Sequence, residues 1–425
     1  MDELSVFFYV TVILFALPLV YAIRIAKPEH ELILGISTSV AIIAFLLLLY
    51  VVNEAIPFAG GGDDELYFDI SNIGPDSIES AFGVIAFYAQ QPGYGFLLMV
   101  VDLFVHGLYL KKALNVSLFV LDALMWYRIG LLTANRKIAL RFFFAVLFAT
   151  PLMHYFLFLF KDMTITIVQT ALLLWTLDFI FTERRRNLLL IFFGFLMTVM
   201  LRLPAVLLEG AMVAGVLFFY RHVWFARWQD ASLTRVVVGI GMIAGAAFLY
   251  VIVTNSEFIQ LLGIAGTRSF GDEGLSSQVG VYLQKAQGSP LFIVPVFFLI
   301  TLNGLYALSR PLSADIIEGL SALPWIYVGL PLFLWSAYYF LGNWRAMLSR
   351  EKALYLSLFF ITALFLAQSI VVFDTTRWRM PGIPVMFALS ALGWTTLGNR
   401  RGLVLATWAV GISLLLGLYY FTSGG

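Results

Sequence analysis

The chain has no cysteine. That excludes disulfides, iron–sulfur clusters and thiolate zinc sites, although it does not fix a redox compartment. Charge is scarce as well. Asp, Glu, Lys and Arg make up 12% of 425 residues, against roughly 25% in a soluble domain. The formal net charge is +1, so nothing global points to nucleic acid. The four histidines are scattered, and His106 and His154 read as satisfied polar residues rather than metal ligands. No low-complexity linker or fixed-period repeat divides the sequence, so residues 1–425 read as a single domain.

What the chain has in abundance is apolar sequence, at 61% of residues. Few soluble folds can hide that much apolar surface, and the alternative solvent is lipid. A spanning helix needs about 20 mostly apolar residues, and such runs recur from end to end. The first, residues 5–23, is too long for an ordinary signal-peptide core and has no basic segment before it. It reads as a retained helix with its N-terminus outside.

Loops rich in Lys and Arg stay cytoplasmic. By that rule Arg24–Glu31, Arg136–Arg141, Glu183–Asn187, Arg221–Arg235, Arg345–Lys352 and Asn399–Arg401 lie inside. Asn53–Gln91 lies outside, with seven acids and neither Lys nor Arg. The fold expected is an all-α polytopic bundle of about twelve spans. Their cores are 5–23, 32–52, 114–132, 138–160, 163–181, 188–201, 203–220, 235–254, 326–342, 353–372, 383–397 and 403–421. If Tyr94–Leu110 crossed the bilayer, Lys111 and Lys112 would lie inside and the later basic loops outside. It is therefore assigned to the outer interface, as is Pro290–Ser309. The runs 188–201 and 203–220 form a hairpin with Arg202 and Pro204 at an outer tip. The outer regions are then 53–113, with juxtamembrane helices, and 255–310; within the Gly-rich loop Val253–Ser289 the chain is either a lid or a plain connector.

The segment from Gly60 to Ser71 is the most informative. Three glycines precede Asp63, Asp64 and Glu65, and Tyr67 and Phe68 follow. Adjacent carboxylates raise one another's proton affinity, which suits one of them to act as a general base. The plainer reading is a solvated acidic loop that enforces topology. A calcium site fits less well, because the twelve-residue calcium-loop pattern is missing. Lys161, Asp162, Arg202, Arg377 and Arg379 all fall on the outer side in this topology. Charges at membrane depth usually face a cavity, and a guanidinium matches phosphate oxygens. The plainer alternatives are interfacial anchors for Arg377 and Arg379 and a local Lys161–Asp162 ion pair. Asp102, Asp122, Asp178 and Glu209 read as groups that pair within the bundle.

The segment from Asp63 to Ser71 resembles the first outer loop of GT-C-fold glycosyltransferases, the aminoarabinose and protein O-mannosyl transferases among them. Pro92-Gly93-Tyr94-Gly95, Leu114-Asn115-Val116, Phe160-Lys161-Asp162 and Leu201-Arg202-Leu203-Pro204 resemble later steps of that pattern in the same order. So does Arg377-Trp378-Arg379-Met380-Pro381 with Pro384. Two features depart from it: two helices precede the acidic loop instead of one, and Gln90-Gln91-Pro92 stands where the family often has a lysine.

The resemblance implies an inverting sugar transfer from a polyprenyl-phosphate donor to a glycan, lipid or protein acceptor. The setting would be the outer face of a bacterial inner membrane, among membrane lipids. Asp63 would be the base and Asp64 its orienting neighbour. Tyr67, Tyr94, Lys161, Asp162, Arg202, Arg377 and Arg379 would contact substrate. No cofactor is required, and a divalent metal is compatible with the carboxylates. Two rivals remain: an O-antigen polymerase or ligase, and a transporter or flippase of lipid-linked sugars.

Overall fold

The computed structural model describes residues 15–58, 65, 67–69, 92–102, 107–158, 160–184, 186–202, 205–224, 320–372 and 382–423. The expected span 235–254, the helix 290–309, the whole region 255–310, His106, Asp63, Asp64, Arg377 and Arg379 lie outside these residues.

Every regular element among the described residues is helical. In chain order the main ones are α1 (Phe15–Ile25), α2 (Glu31–Ala55), α3 (Pro92–Asp102), α4 (Leu108–Thr133), α5 (Arg136–Leu147) and α6 (Met153–Leu157). They continue with α7 (Asp162–Thr182), α8 (Arg186–Leu201) and α9 (Ala205–Phe219). The last four are α10 (Leu320–Asn343), α11 (Ser349–Val372), α12 (Ile383–Leu397) and α13 (Arg401–Ser423).

Four stretches are long and apolar enough to cross a membrane: Pro28–Ala55, α4, α7 and α10. The α5–α6 pair makes a fifth if its 42° bend lies within one span. The described residues are those of an all-helical, multi-pass membrane protein. The described residues thus bear out four or five spans and do not reach the expected twelve.

α2 shows why lipid is the solvent. Leu34, Thr38, Ala41, Ile42 and Leu49 face the bundle, while Leu32, Ile36, Val40, Ile43, Leu47 and Val51 are exposed on the other side. A helix apolar on all sides has no water-facing surface. Leu189, Phe192, Phe193 and Leu196 make a similar outward face on α8.

The helices close into a ring. α4 packs on α5 and α7, α5 on α12, α12 on α11, α11 on α9, and α9 on α7. α10 lies against α12, α2 against α4, and α8 against α7. α10 and α12 meet at Gly393, where a Cβ would overlap the backbone carbonyl of Leu332. Backbone cannot swing aside as a side-chain tip can. Gly393→Ala is therefore expected to destabilise the bundle by about 1–3 kcal/mol, read as unfolding in detergent. Gly411→Ala, at a position with nothing within 4 Å, should leave it unchanged.

Basic loops that are distant in sequence meet at one end of the ring. The Lys27 N–H donates to the Tyr127 hydroxyl (3.3 Å), which also pairs with His30 Nδ1 (3.0 Å). Arg136 pairs with Glu29. Arg350 Nε donates to the Thr133 carbonyl (3.1 Å). Asn187 Nδ2 donates to Asp178 (2.8 Å), whose other oxygen lies 3.6 Å from Arg128. The loop-charge rule had grouped these segments without any three-dimensional information.

Two boundaries differ from the sequence reading. The run 138–160 is not one straight helix: it breaks at Thr150–Leu152, where Pro151 cannot donate a helical hydrogen bond. The span expected from 114 starts at Leu108, with Lys111 and Lys112 fully buried in its first turns.

Candidate functional site

The opposite end of the ring is built from the C-terminus of α2, the start of α4, the turn before α7, and the α8–α9 tip. α3 packs on α8 and α4 there. Its 11 residues reach about 16 Å, too short to span roughly 30 Å of hydrocarbon. The stretch Tyr94–Leu110, expected at the outer interface, is divided here: α3 ends at Asp102, and Leu108–Leu110 belong to α4.

Asn115 organises the floor. Its Nδ2 donates to the carbonyls of Phe158 (3.0 Å) and Phe160 (3.2 Å), pinning the turn that delivers Lys161 and Asp162. It also lies 3.3 Å from the Tyr94 hydroxyl. Tyr94 is fully buried, and desolvation pushes its phenol above the usual pKa, so it is neutral and carries its proton. The Tyr67 ring stands edge-on to Tyr94 at 4.9 Å. Tyr67 and Phe68 pack on the small cluster of Tyr94, Leu98, Ile165 and Leu201. The chain just after the acidic triplet therefore lies on this floor.

Four cations surround it. Lys161 Nζ sits 5.7 Å from the Tyr67 ring centre. Lys111 Nζ lies 4.9 Å from the Phe68 ring centre. Lys112 Nζ donates to Asn53 Oδ1 (3.0 Å) and to the Pro57 carbonyl, and lies 5.2 Å from the Phe158 ring centre. These oxygens and ring faces replace part of the hydration a buried ammonium loses. The acids of the overlying segment that are described, Glu65 and Asp69, are exposed.

The fourth cation is Arg202. Its Nη2 donates to Asp162 Oδ1 at 2.9 Å, and both side chains are almost fully buried, at 7% and 3% exposure. The pair ties the α8–α9 tip to the first residue of α7. The sequence offered a local ion pair with Lys161 as one alternative for Asp162; the structure pairs Asp162 with Arg202. The reason is direction. Asp162 opens the helix facing α8, while Lys161, one residue earlier, lies over Tyr67.

Of the residues singled out in the sequence, Tyr67, Tyr94, Lys161, Asp162 and Arg202 meet at this end. Asp63, Asp64, Arg377 and Arg379 lie outside the described residues. Lys111 and Lys112 were missed as site residues, because the sequence reading used them only as markers of topology. Asn115 had been noted only as the start of a span. Among the acids expected to pair within the bundle, Asp178 meets Arg128 and Asn187, and Glu209 accepts a hydrogen bond from Thr198. Among the described residues no group of three or more His, Asp and Glu could hold a metal ion.

No protein-family model matches the sequence, and no curated protein matches it. The chain is similar in structure to ArnT from Cupriavidus metallidurans, solved as a crystal structure bound to undecaprenyl phosphate. The TM-score is 0.48 at 18% identity, covering 89% of this chain and 63% of that one. The chain thus spans less than two thirds of the length of the solved structure it matches.

Proposed function

We propose that this protein is a membrane glycosyltransferase that takes a sugar from a polyprenyl phosphate. The observation that carries the reading is the gathering of Lys111, Lys112, Lys161 and Arg202, with the hydroxyls of Tyr67 and Tyr94 beside them, at one end of a lipid-embedded bundle. A phosphate at the bilayer surface offers the charge and oxygens such a cluster would bind. Its prenyl tail would lie along the apolar outer face of the helices.

In this reading the acceptor hydroxyl attacks the anomeric carbon of the donor, and the bond from that carbon to the phosphate oxygen breaks. Asp63 takes the hydroxyl proton, and polyprenyl phosphate leaves with the bonding pair. The cations stabilise the charge that grows on the phosphate, a form of electrostatic help that often dominates catalysis. Tyr94, buried and neutral, is suited to donate to a phosphate oxygen. Asp162 holds the Arg202 guanidinium in place. Asp63 stands four residues before Tyr67, and a chain of that length reaches at most about 14 Å. Inversion at the sugar, a periplasmic site and a bacterial inner membrane follow from the family resemblance.

Purified protein in nanodiscs, titrated with polyprenyl phosphate, tests the anion site. Lys161→Gln is expected to weaken binding about tenfold or more, the worth of one charge-assisted hydrogen bond. Transfer is read separately, by incubation with labelled prenyl-phosphate sugars and envelope extract. Unchanged binding in Lys161→Gln would argue against the site. Labelled lipid that crosses the bilayer with no glycoside formed would favour the flippase rival.

A further inference from the structure

The described cavity of interest is not at the proposed transfer site. It lies at the other end of the bundle, where the α4–α5 turn meets the link between α1 and α2. Its volume is about 720 Å³, within the range of small-molecule sites. Lys27, Arg128, Arg136 and Lys137 supply its charge, and Leu131 and Leu132 an apolar wall.

The charge there is not balanced. Arg136 is met by Glu29 and Arg128 by Asp178. Four cations against two acids leave a surplus of two positive charges, and Lys27 and Lys137 are the cations outside these two ion pairs. The backbone adds to it. α5 begins in this wall, and its cap is satisfied at one amide only, Asn135 Oδ1 accepting from the Ile138 N–H. The amides of Arg136 and Lys137 belong to the first turn, which has no carbonyls to pair with, and the helix dipole is positive there.

We propose that this cavity binds the phosphate-bearing headgroup of an anionic phospholipid, with an acyl chain against Leu131 and Leu132. Three features favour a lipid over a free anion. The cavity lies at the ends of helices long and apolar enough to cross a membrane. Its charge sits beside an apolar wall. Basic pockets between membrane helices at such ends are suited to acidic headgroups. The inference is independent of the sugar-transfer reading, because it uses the opposite end of the molecule and none of the same residues.

The test uses the full chain, purified in neutral detergent. Retention of cardiolipin and phosphatidylglycerol is measured by native mass spectrometry, with phosphatidylcholine as the neutral comparison. The Lys27→Gln/Lys137→Gln pair is expected to lose roughly 25-fold in affinity for the anionic lipids, about fivefold per charge, and to bind phosphatidylcholine unchanged. Lys27→Arg/Lys137→Arg should restore retention. The thermal transition without added lipid should not move, because both side chains reach solvent, and this separates loss of binding from misfolding. Equal retention by the glutamine pair and the unaltered chain would overturn the proposal. So would displacement of the lipid by excess inorganic phosphate, which would identify a free-anion site instead.

Discussion

Replacing Arg202 with methionine is expected to lower the unfolding free energy of the protein by about 3–5 kcal/mol, the cost of stranding one member of a buried ion pair. Asp162 would be left with 3% of its side chain exposed and no cation at 2.9 Å. The double variant Arg202→Met/Asp162→Leu separates the fold from the chemistry. Removing both charges removes the stranded one, and replacing a buried pair with apolar groups of similar size is often neutral or better. The double variant should therefore recover most of the lost stability in a detergent unfolding assay. Sugar transfer should not recover with it. If Arg202 served only to join the α8–α9 tip to α7, activity would return along with the fold. A stable, correctly assembled but inactive double variant is the signature of a guanidinium that works on substrate. A double variant as unstable as Arg202→Met would show that Arg202 supports the fold through contacts beyond this pair.

Asp63→Asn is expected to reduce transfer by about 10²–10⁴-fold, the usual contribution of a general base, while polyprenyl-phosphate binding changes little. The amide keeps the size of the carboxylate and loses its basicity. The loss should fall on kcat, since the proton moves only as the acceptor attacks. Asp64→Asn should cost less, because a neighbour that orients or raises the proton affinity of the base is not itself the acceptor of the proton. This pair of variants also discriminates between the rivals. A polymerase or ligase that relies on cations to hold a lipid pyrophosphate would be largely indifferent to Asp63→Asn. Full transfer by that variant would remove the acid–base assignment while leaving the cationic site untouched.

Much of the architecture was legible in the sequence because hydrophobic length and loop charge are one-dimensional signals. Helices α2, α7, α8, α9, α11, α12 and α13 lie close to the runs that composition picked out. The meeting of Lys27, Arg136, Asn187 and Arg350 at one end follows from a rule that counts only Lys and Arg. Helix starts were harder to read. Lys111 and Lys112 served in the sequence reading only as markers of topology, just before the span expected from 114. They are nevertheless inside α4, since Asn53, Pro57 and aromatic faces compensate them. Those partners come from 43 or more residues away and leave no local mark.

The sequence by itself determined that the chain lives in lipid, which loops share an end, and that Tyr67, Tyr94, Lys161, Asp162 and Arg202 belong to the other end. These are properties of composition and order along the chain, and they hold whatever the details of packing. Tertiary structure alone decided the partners: that Asp162 meets Arg202 rather than Lys161, that Asn115 pins the turn at Phe158 and Phe160, and that two lysines join the site. Hydrogen bonds and ion pairs act over about 3 Å and depend on direction. Which groups come that close is settled only when helices far apart in sequence are packed side by side.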